Sequence, residues 1–197
     1  MNLSTVPTLS AKRTRNASET RERILDAARL SFSQRGYEHV GVRDISAAAG
    51  VDAALINRYF GTKESLFAEV IRGAFHVEDH LPESMNQLGE FLVGQILGEA
   101  EDRTPSFNPL RLLLLAASSP ETAAIVARQF DAEFVRPLAK RLRGRDAALR
   151  ATLIASYVIG LATMRHLLEA PELSRTSLRK TSVWTGQAIQ ACATPPG

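Results

Sequence analysis

The 197-residue chain has a single cysteine, Cys192, so no disulfide can form within it. A scaffold held by disulfides is excluded, and the pattern suits a reducing cytoplasm. Long hydrophobic runs are missing too. The longest uncharged apolar stretch runs from Ala151 to Met164, between Arg150 and Arg165. As a helix it rises about 21 Å, short of the roughly 30 Å hydrocarbon core of a bilayer. It is expected to be buried in protein, and no membrane partner is expected. Residues 1–18 carry Lys12, Arg13 and Arg15 but lack the apolar stretch of a signal peptide, so a cytoplasmic location is expected.

Catalytic groupings are also lacking. His39, His76, His80 and His166 have no metal-ligand spacing with cysteine or carboxylates, and the His76/His80 pair alone carries little weight. No phosphate-binding glycine loop and no Ser/His/Asp arrangement is readable. The chain is therefore not expected to be an enzyme, and no metal or cofactor is expected.

What is present is a hydrophobic share of 45%, enough for a real core. Charge is unevenly placed. Residues 1–75 carry eleven basic and eight acidic groups, whereas residues 76–197 carry thirteen of each. A basic N-terminal unit on a neutral body suggests a polyanion partner at that end. Lys12, Arg13 and Arg15 are either a solvated tail or an arm reaching a minor groove.

Nothing reads as a strand. Apolar residues recur at three- and four-residue steps, with Gly and Pro between the runs. Nine helices are expected. The first covers about 17–36, with a capping box from Asn16 to Glu19 and Gly36 as terminator. The next three cover 42–49, 53–60 behind Asp52, and 63–79 behind Thr62. Two more cover 84–100 and 107–117. A seventh opens with Ser119 and Pro120 and bends at Pro137. The last two cover 147–169, behind Asp146, and 175–192.

The informative segment lies between Val42 and Lys63. Two short helices are joined at Gly50 and Val51, where a tight crossing favours a left-handed glycine. Ala48 and Ala49 allow close approach, and Ile45, Val51 and Ile56 point inward. The second helix is then free to lie in a major groove with its other face outward. That face carries Ala53, Ala54, Asn57 and Arg58. Asn pairs with adenine, Arg with guanine, and Ala meets a thymine methyl. Arg43 reaches a base edge or a phosphate. Thr62 and Lys63 open the next helix, a good phosphate site. Tyr59 and Phe60 brace the neighbouring helices, with the Tyr59 hydroxyl in reach of a phosphate.

Residues 22–70 read Glu-Arg-Ile-Leu-Asp-Ala-Ala, then Phe-Ser-Gln-Arg-Gly-Tyr, Val-Arg-Asp-Ile, Ala-Gly-Val and Arg-Tyr-Phe-Gly-Thr-Lys-Glu-Ser-Leu-Phe. This segment resembles the DNA-binding domain of the TetR family. Similarity continues more loosely at Asn-Pro-Leu-Arg-Leu-Leu near 110, Phe-Val-Arg-Pro-Leu near 136 and Ile-Gly-Leu-Ala-Thr-Met-Arg near 163. The sequence departs from the usual pattern at Gly41, Ser46, Asp52 and Asn57. The resemblance implies an all-α fold: a three-helix, homeodomain-like helix-turn-helix domain followed by a helical ligand-binding and dimerisation domain. The expected divisions are a flexible basic tail (1–16), the DNA-binding domain (17–63) and the ligand-binding and dimerisation domain (64–197).

The resemblance places an effector cavity among the middle helices, where Phe91, Phe107, Phe130, Phe134, Tyr157 and Met164 converge, with Tyr157 and His166 as polar groups. The bland reading of each apolar residue is core packing. The helix from 147 is apolar nearly all round and needs cover on more than one side. Leu153, Tyr157, Leu161, Leu168 and Trp184 are therefore the expected homodimer contacts. The implied protein is a ligand-responsive repressor. Its expected partners are double-stranded, palindromic operator DNA, an unidentified small-molecule effector and a second copy of itself. The alternative is a helical ligand-binding or protein-interaction module without DNA binding.

Overall fold

In the computed structural model the described residues are 9–77, 81–98, 107–173 and 178–194. Among them no strand occurs. α1 (Leu9–Arg35) starts well before residue 17. No Gly or Pro lies between Pro7 and Gly36, so nothing breaks the helix there. The expected capping box is accordingly absent. Asn16 sits inside α1, and its carbonyl accepts the Thr20 hydroxyl at 2.8 Å. Gly36 ends the helix in the left-handed region at φ 80°.

α2 (Val42–Ala49), α3 (Ala53–Phe60) and the start of α4 (Lys63–Ile71) fall where the periodicity puts them. α4 is shorter than expected. It stops at Ile71 because Gly73, at φ 77°, turns the chain away from a helical path. Fully buried Ile24, Phe32, Ile45, Ile56, Leu66 and Phe67 hold this head together. The rings of Phe32, Tyr37 and Phe67 meet at 5.2–5.7 Å, an aromatic cluster that adds to burial. The same core continues into the body through Leu112, Ala116 and Val126.

α5 (Leu88–Gly98) follows a short 3-10 turn, Met85–Gln87. α6 (Pro109–Ala117) starts behind Asn108, whose side chain accepts the Arg111 N–H at 2.9 Å. Ser119 does not cap the next helix. Its carbonyl closes a turn onto Ala123 at 2.9 Å, and its hydroxyl donates to Glu38 at 2.9 Å. α7 (Ala123–Phe130) therefore begins after the expected Pro120. It runs through a π-helical turn, Asp131–Val135, into α8 (Arg136–Arg141) without a break.

The π-turn has an identifiable cause. Pro137 lacks the N–H that would bond to the Glu133 carbonyl. That carbonyl instead accepts the Val77 N–H at 3.2 Å. The rod absorbs the proline by widening one turn and lends the freed acceptor to another segment.

α9 (Ala147–Ala162) continues as a π-helical turn, Thr163–Leu167, and α10 (Leu178–Ala193) closes the described fold. Asp146 is left-handed at φ 56°, and its side chain makes no capping hydrogen bond, contrary to expectation. Taking α7 and α8 as one rod, the described residues form nine helices. α5 and α10 cross at Gly89 and Gly186. A Cβ on Gly89 would lie 2.0 Å from the Gly186 carbonyl oxygen, so this crossing requires glycine. Leu88, Val93, Leu138, Ile154 and Ile189 form the second core beneath it.

Candidate nucleic-acid interface and ligand cavity

The turn between α2 and α3 is built as its sequence demands. Gly50 takes φ 62°, ψ 42°, and its N–H donates to Ala47 while that of Val51 donates to Ser46. Ile45 and Ile56 are fully buried beneath it and Val51 is half-buried. Of the expected small residues only Ala49 is buried. Ala48 is exposed, and the second close contact is Ser46, whose hydroxyl donates to the Arg43 carbonyl at 3.0 Å. A serine fits this crossing because its hydroxyl is satisfied by its own helix.

The outward side of the motif carries exposed Arg43, Ala54, Asn57 and Arg58, with Ala53 half-buried. The side chains of Arg43, Asn57 and Arg58 make no hydrogen bond or ion pair with any described residue. Asp52 is spent on capping: its Oδ1 accepts the Ala54 N–H at 2.7 Å. Asp44 compensates for the missing hydroxyl at Gly41, accepting the Gly41 N–H at 2.7 Å. Both carboxylates thus have local structural partners.

At the start of α4 the Thr62 hydroxyl accepts the Ser65 N–H at 3.0 Å. Lys63 is half-buried, with Nζ 3.9 Å from the centre of the Tyr37 ring. That cation–π contact fixes the ammonium beside the helix N-terminus. Burial first, then the charges of Glu121 and Glu64, push the Tyr37 phenol above its ordinary pKa. Tyr59 is half-buried against Phe60, and the Arg21 guanidinium lies 4.9 Å over the Phe60 ring. Both aromatics brace the head, as expected. His80 lies outside the described residues, as do the side chains of Lys12, Arg13 and Arg15.

A cavity of about 980 Å³ opens among the segment after α4, α5, α6, the α7–α8 rod and α9. Phe107, Phe130 and Phe134 line it, together with Phe75, Arg165 and His166. The other three expected lining residues do not. Phe91 packs on the body core, and Tyr157 on α9 and Met164 in the π-turn that continues it are 43% and 45% exposed. Their helical stripe is offset from the one that faces the cavity, which periodicity alone does not distinguish. Phe130 stacks on Phe134 at 5.1 Å and meets Phe75 edge-on at 5.6 Å.

Sequence reasoning missed Glu133. Its carboxylate accepts the N–H of Gly73 at 2.6 Å and of Phe75 at 3.0 Å, and a bond from the Gln129 side chain. With its own carbonyl on Val77, one residue ties down the whole segment that leaves α4. That segment carries Phe75 into the cavity wall, so head, linker and cavity share one set of contacts. The only signal was Pro137, which frees a carbonyl at Glu133.

Another apolar surface is uncovered in this single chain. Leu149, Leu153 and Leu168 on and beyond α9 are exposed, as are Val183 and Trp184 on α10; Trp184 is 69% exposed. Leu153, Tyr157, Leu168 and Trp184 thus lie where a partner can reach them, whereas Leu161 is half-buried against the body core.

A short helix held outward by a glycine turn, on a helical body with an aromatic cavity, defines a helix-turn-helix protein. Residues 24–70 match the family described as "Bacterial regulatory proteins, tetR family" and residues 86–192 match "Tetracyclin repressor-like, C-terminal domain". The chain belongs to the TetR family. It is 45% identical over 58 residues to an HTH-type transcriptional regulator of Mycobacterium tuberculosis, covering 29% of this chain and 27% of that one. It is 38% identical over 60 residues to the HTH-type transcriptional repressor KstR2 of Rhodococcus jostii, covering 30% and 29%. These matches therefore span less than a third of either relative. A TetR-family transcriptional regulator from Rhodococcus sp. has the same fold, with TM-score 0.63, 22% identity and coverage of 90% of this chain and 100% of that one.

Proposed function

We propose that the protein is a homodimeric repressor that grips palindromic operator DNA through α2, α3 and the start of α4, and releases it when a small molecule enters the body. The observation that carries this reading is the outward face of α3. Asn57 and Arg58 are exposed and unengaged there, on a helix anchored from behind by buried Ile56 and Phe60. Two such faces from a twofold pair, roughly 34 Å apart, match successive major grooves. The exposed apolar residues of α9 and α10 supply the surface for pairing, since a stripe of that kind is buried in a stable state. Binding DNA and promoters as a soluble factor places the protein in the cytoplasm.

The coupling route runs through Glu133. A ligand against Phe75, Phe130 and Phe134 acts on the residues that Glu133 holds, and these continue directly into α4 and the head. The ligand favours release only by binding the released arrangement more tightly; the usual scale is about 1–3 kcal/mol. The reading is tested by a gel shift with duplexes from the region upstream of the coding sequence. The wild type retards one discrete duplex in a salt-sensitive manner, and the Asn57→Ala/Arg58→Ala double variant does not. Equal retardation by both proteins removes α3 from the interface.

A further inference from the structure

We propose that the cavity takes an aromatic carboxylate, its anion held by Arg165 and its ring stacked among Phe75, Phe130 and Phe134. This rests on reading the cavity as an effector site and adds the chemical class of the effector.

Two arginines of the body differ in their bonding: Arg150 is buried and Arg165 is half-buried. The Arg150 guanidinium is spent: Nε donates to the Arg145 carbonyl, one Nη to Cys192 and Ala193, and the other Nη to Arg143. It ties the end of α10 to the loop before α9 and lies outside the cavity. Arg165 differs on each count. It lines the cavity. One Nη donates to Leu97 at 2.8 Å and the other to Leu173 at 3.1 Å, while Nε is buried with no acceptor at all. A guanidinium has five N–H donors, so these two bonds leave most of its capacity unused. Among the described residues no carboxylate lies within ion-pairing distance of it.

Capping the C-terminal end of α5 is the structural reading of Arg165, and it accounts for the bond to Leu97. His166 does the same at Ile96, its Nε2 donating to that carbonyl at 2.9 Å. Capping does not account for a buried Nε–H without a partner. Leaving such a donor unsatisfied is costly. A carboxylate seated against this half-buried guanidinium supplies the missing counter-charge and accepts from its remaining N–H donors. The two existing bonds hold the guanidinium in place beforehand, so little ordering is needed on binding. The rest of the site selects the ligand's body. Phe130 and Phe134 lie nearly parallel, at 8°, and Phe75 stands edge-on, an arrangement that accommodates a flat ring.

The test uses 2-naphthoate, its uncharged amide 2-naphthamide and the cationic 2-naphthylmethylammonium, titrated calorimetrically into the full-length protein. The wild type is expected to bind naphthoate at least tenfold more tightly than the amide, and the amine most weakly. Arg165→Met should abolish the preference for the anion while changing amide affinity by less than about twofold. Arg165→Lys, which keeps the charge and loses the planar guanidinium, should retain a reduced preference. Should Arg165→Met fail to fold, the wild-type order of the three probes decides. The proposal is overturned if amide or amine binds as well as the carboxylate, if Arg165→Met keeps the preference, or if no probe binds. DNA retardation measured on the same wild-type preparation separates this failure from failure of the regulator reading: intact, salt-sensitive DNA binding with no anion preference sinks only the ligand class.

Discussion

Glu133→Gln is the most informative single substitution, because it keeps shape while removing the charge and one of the two acceptor oxygens. The carboxylate accepts backbone N–H groups from Gly73 and Phe75 at 2.6 and 3.0 Å. A hydrogen bond to a charged acceptor contributes about 1.5–3 kcal/mol, against about 0.5–1.5 for a neutral one. One bond survives on the amide oxygen at a loss of about 1 kcal/mol, and the other is lost outright at a cost of about 1.5–3 kcal/mol. Gly73 is exposed and Phe75 is buried, so water replaces part of the first bond and about 2–3 kcal/mol is the working range, about 30- to 150-fold in local opening. Hydrogen exchange followed residue by residue should show the Gly73 and Phe75 amides accelerated by that factor, with amides in the middle of α9 unchanged. The same variant should keep its affinity for DNA in the absence of ligand and lose most of the ligand's effect on it. Unchanged exchange at both amides, or full ligand response in the variant, refutes the role given to Glu133.

Other outcomes follow from the same contacts. Arg58→Ala should cost about 1–3 kcal/mol in operator affinity and relax preference at one base position; uniform weakening across sequences would reassign Arg58 to a phosphate. Lys63→Ala should weaken binding evenly and flatten the salt slope by about one unit, and an unchanged slope removes it from the phosphate contacts. Leu153→Glu with Trp184→Glu should turn a dimer into a folded monomer of much lower DNA affinity in sedimentation and gel-shift assays; a persistent dimer moves the interface elsewhere. The raised pKa of Tyr37 gives an alkaline limb. Its stabilising effect is complete below the unfolded tyrosine pKa of about 10 and is lost as pH rises through the higher folded value. Tyr37→Phe should flatten that limb in urea melts, and an identical limb rules out Tyr37 as its source.

The reading head was legible in the sequence because its constraints are local. Gly50 announces the turn, Ile45 and Ile56 the buried side, and Asp52 and Thr62 the helix starts, and each does what its chemistry dictates. The cavity was half legible. Phe107, Phe130 and Phe134 face it, but Tyr157 and Met164 sit on the opposite stripe of an almost wholly apolar helix, where composition gives no direction. Arg165 was not legible, and Glu133 was hinted at only by Pro137 four residues on. Their partners are backbone groups distant in sequence, and backbone groups leave no signature in side-chain pattern. The early end of α4 was readable at Gly73, but the apolar run beyond it masked the signal.

The central claim is that a twofold pair of α3 helices occupies successive major grooves of one operator. Methylation-protection footprinting of purified protein on its upstream duplex measures this directly. The account predicts two protected patches in the major groove, related by symmetry and one helical turn apart, both lost in the Asn57→Ala/Arg58→Ala protein. Protection confined to one patch, or protection that survives in the variant, contradicts it.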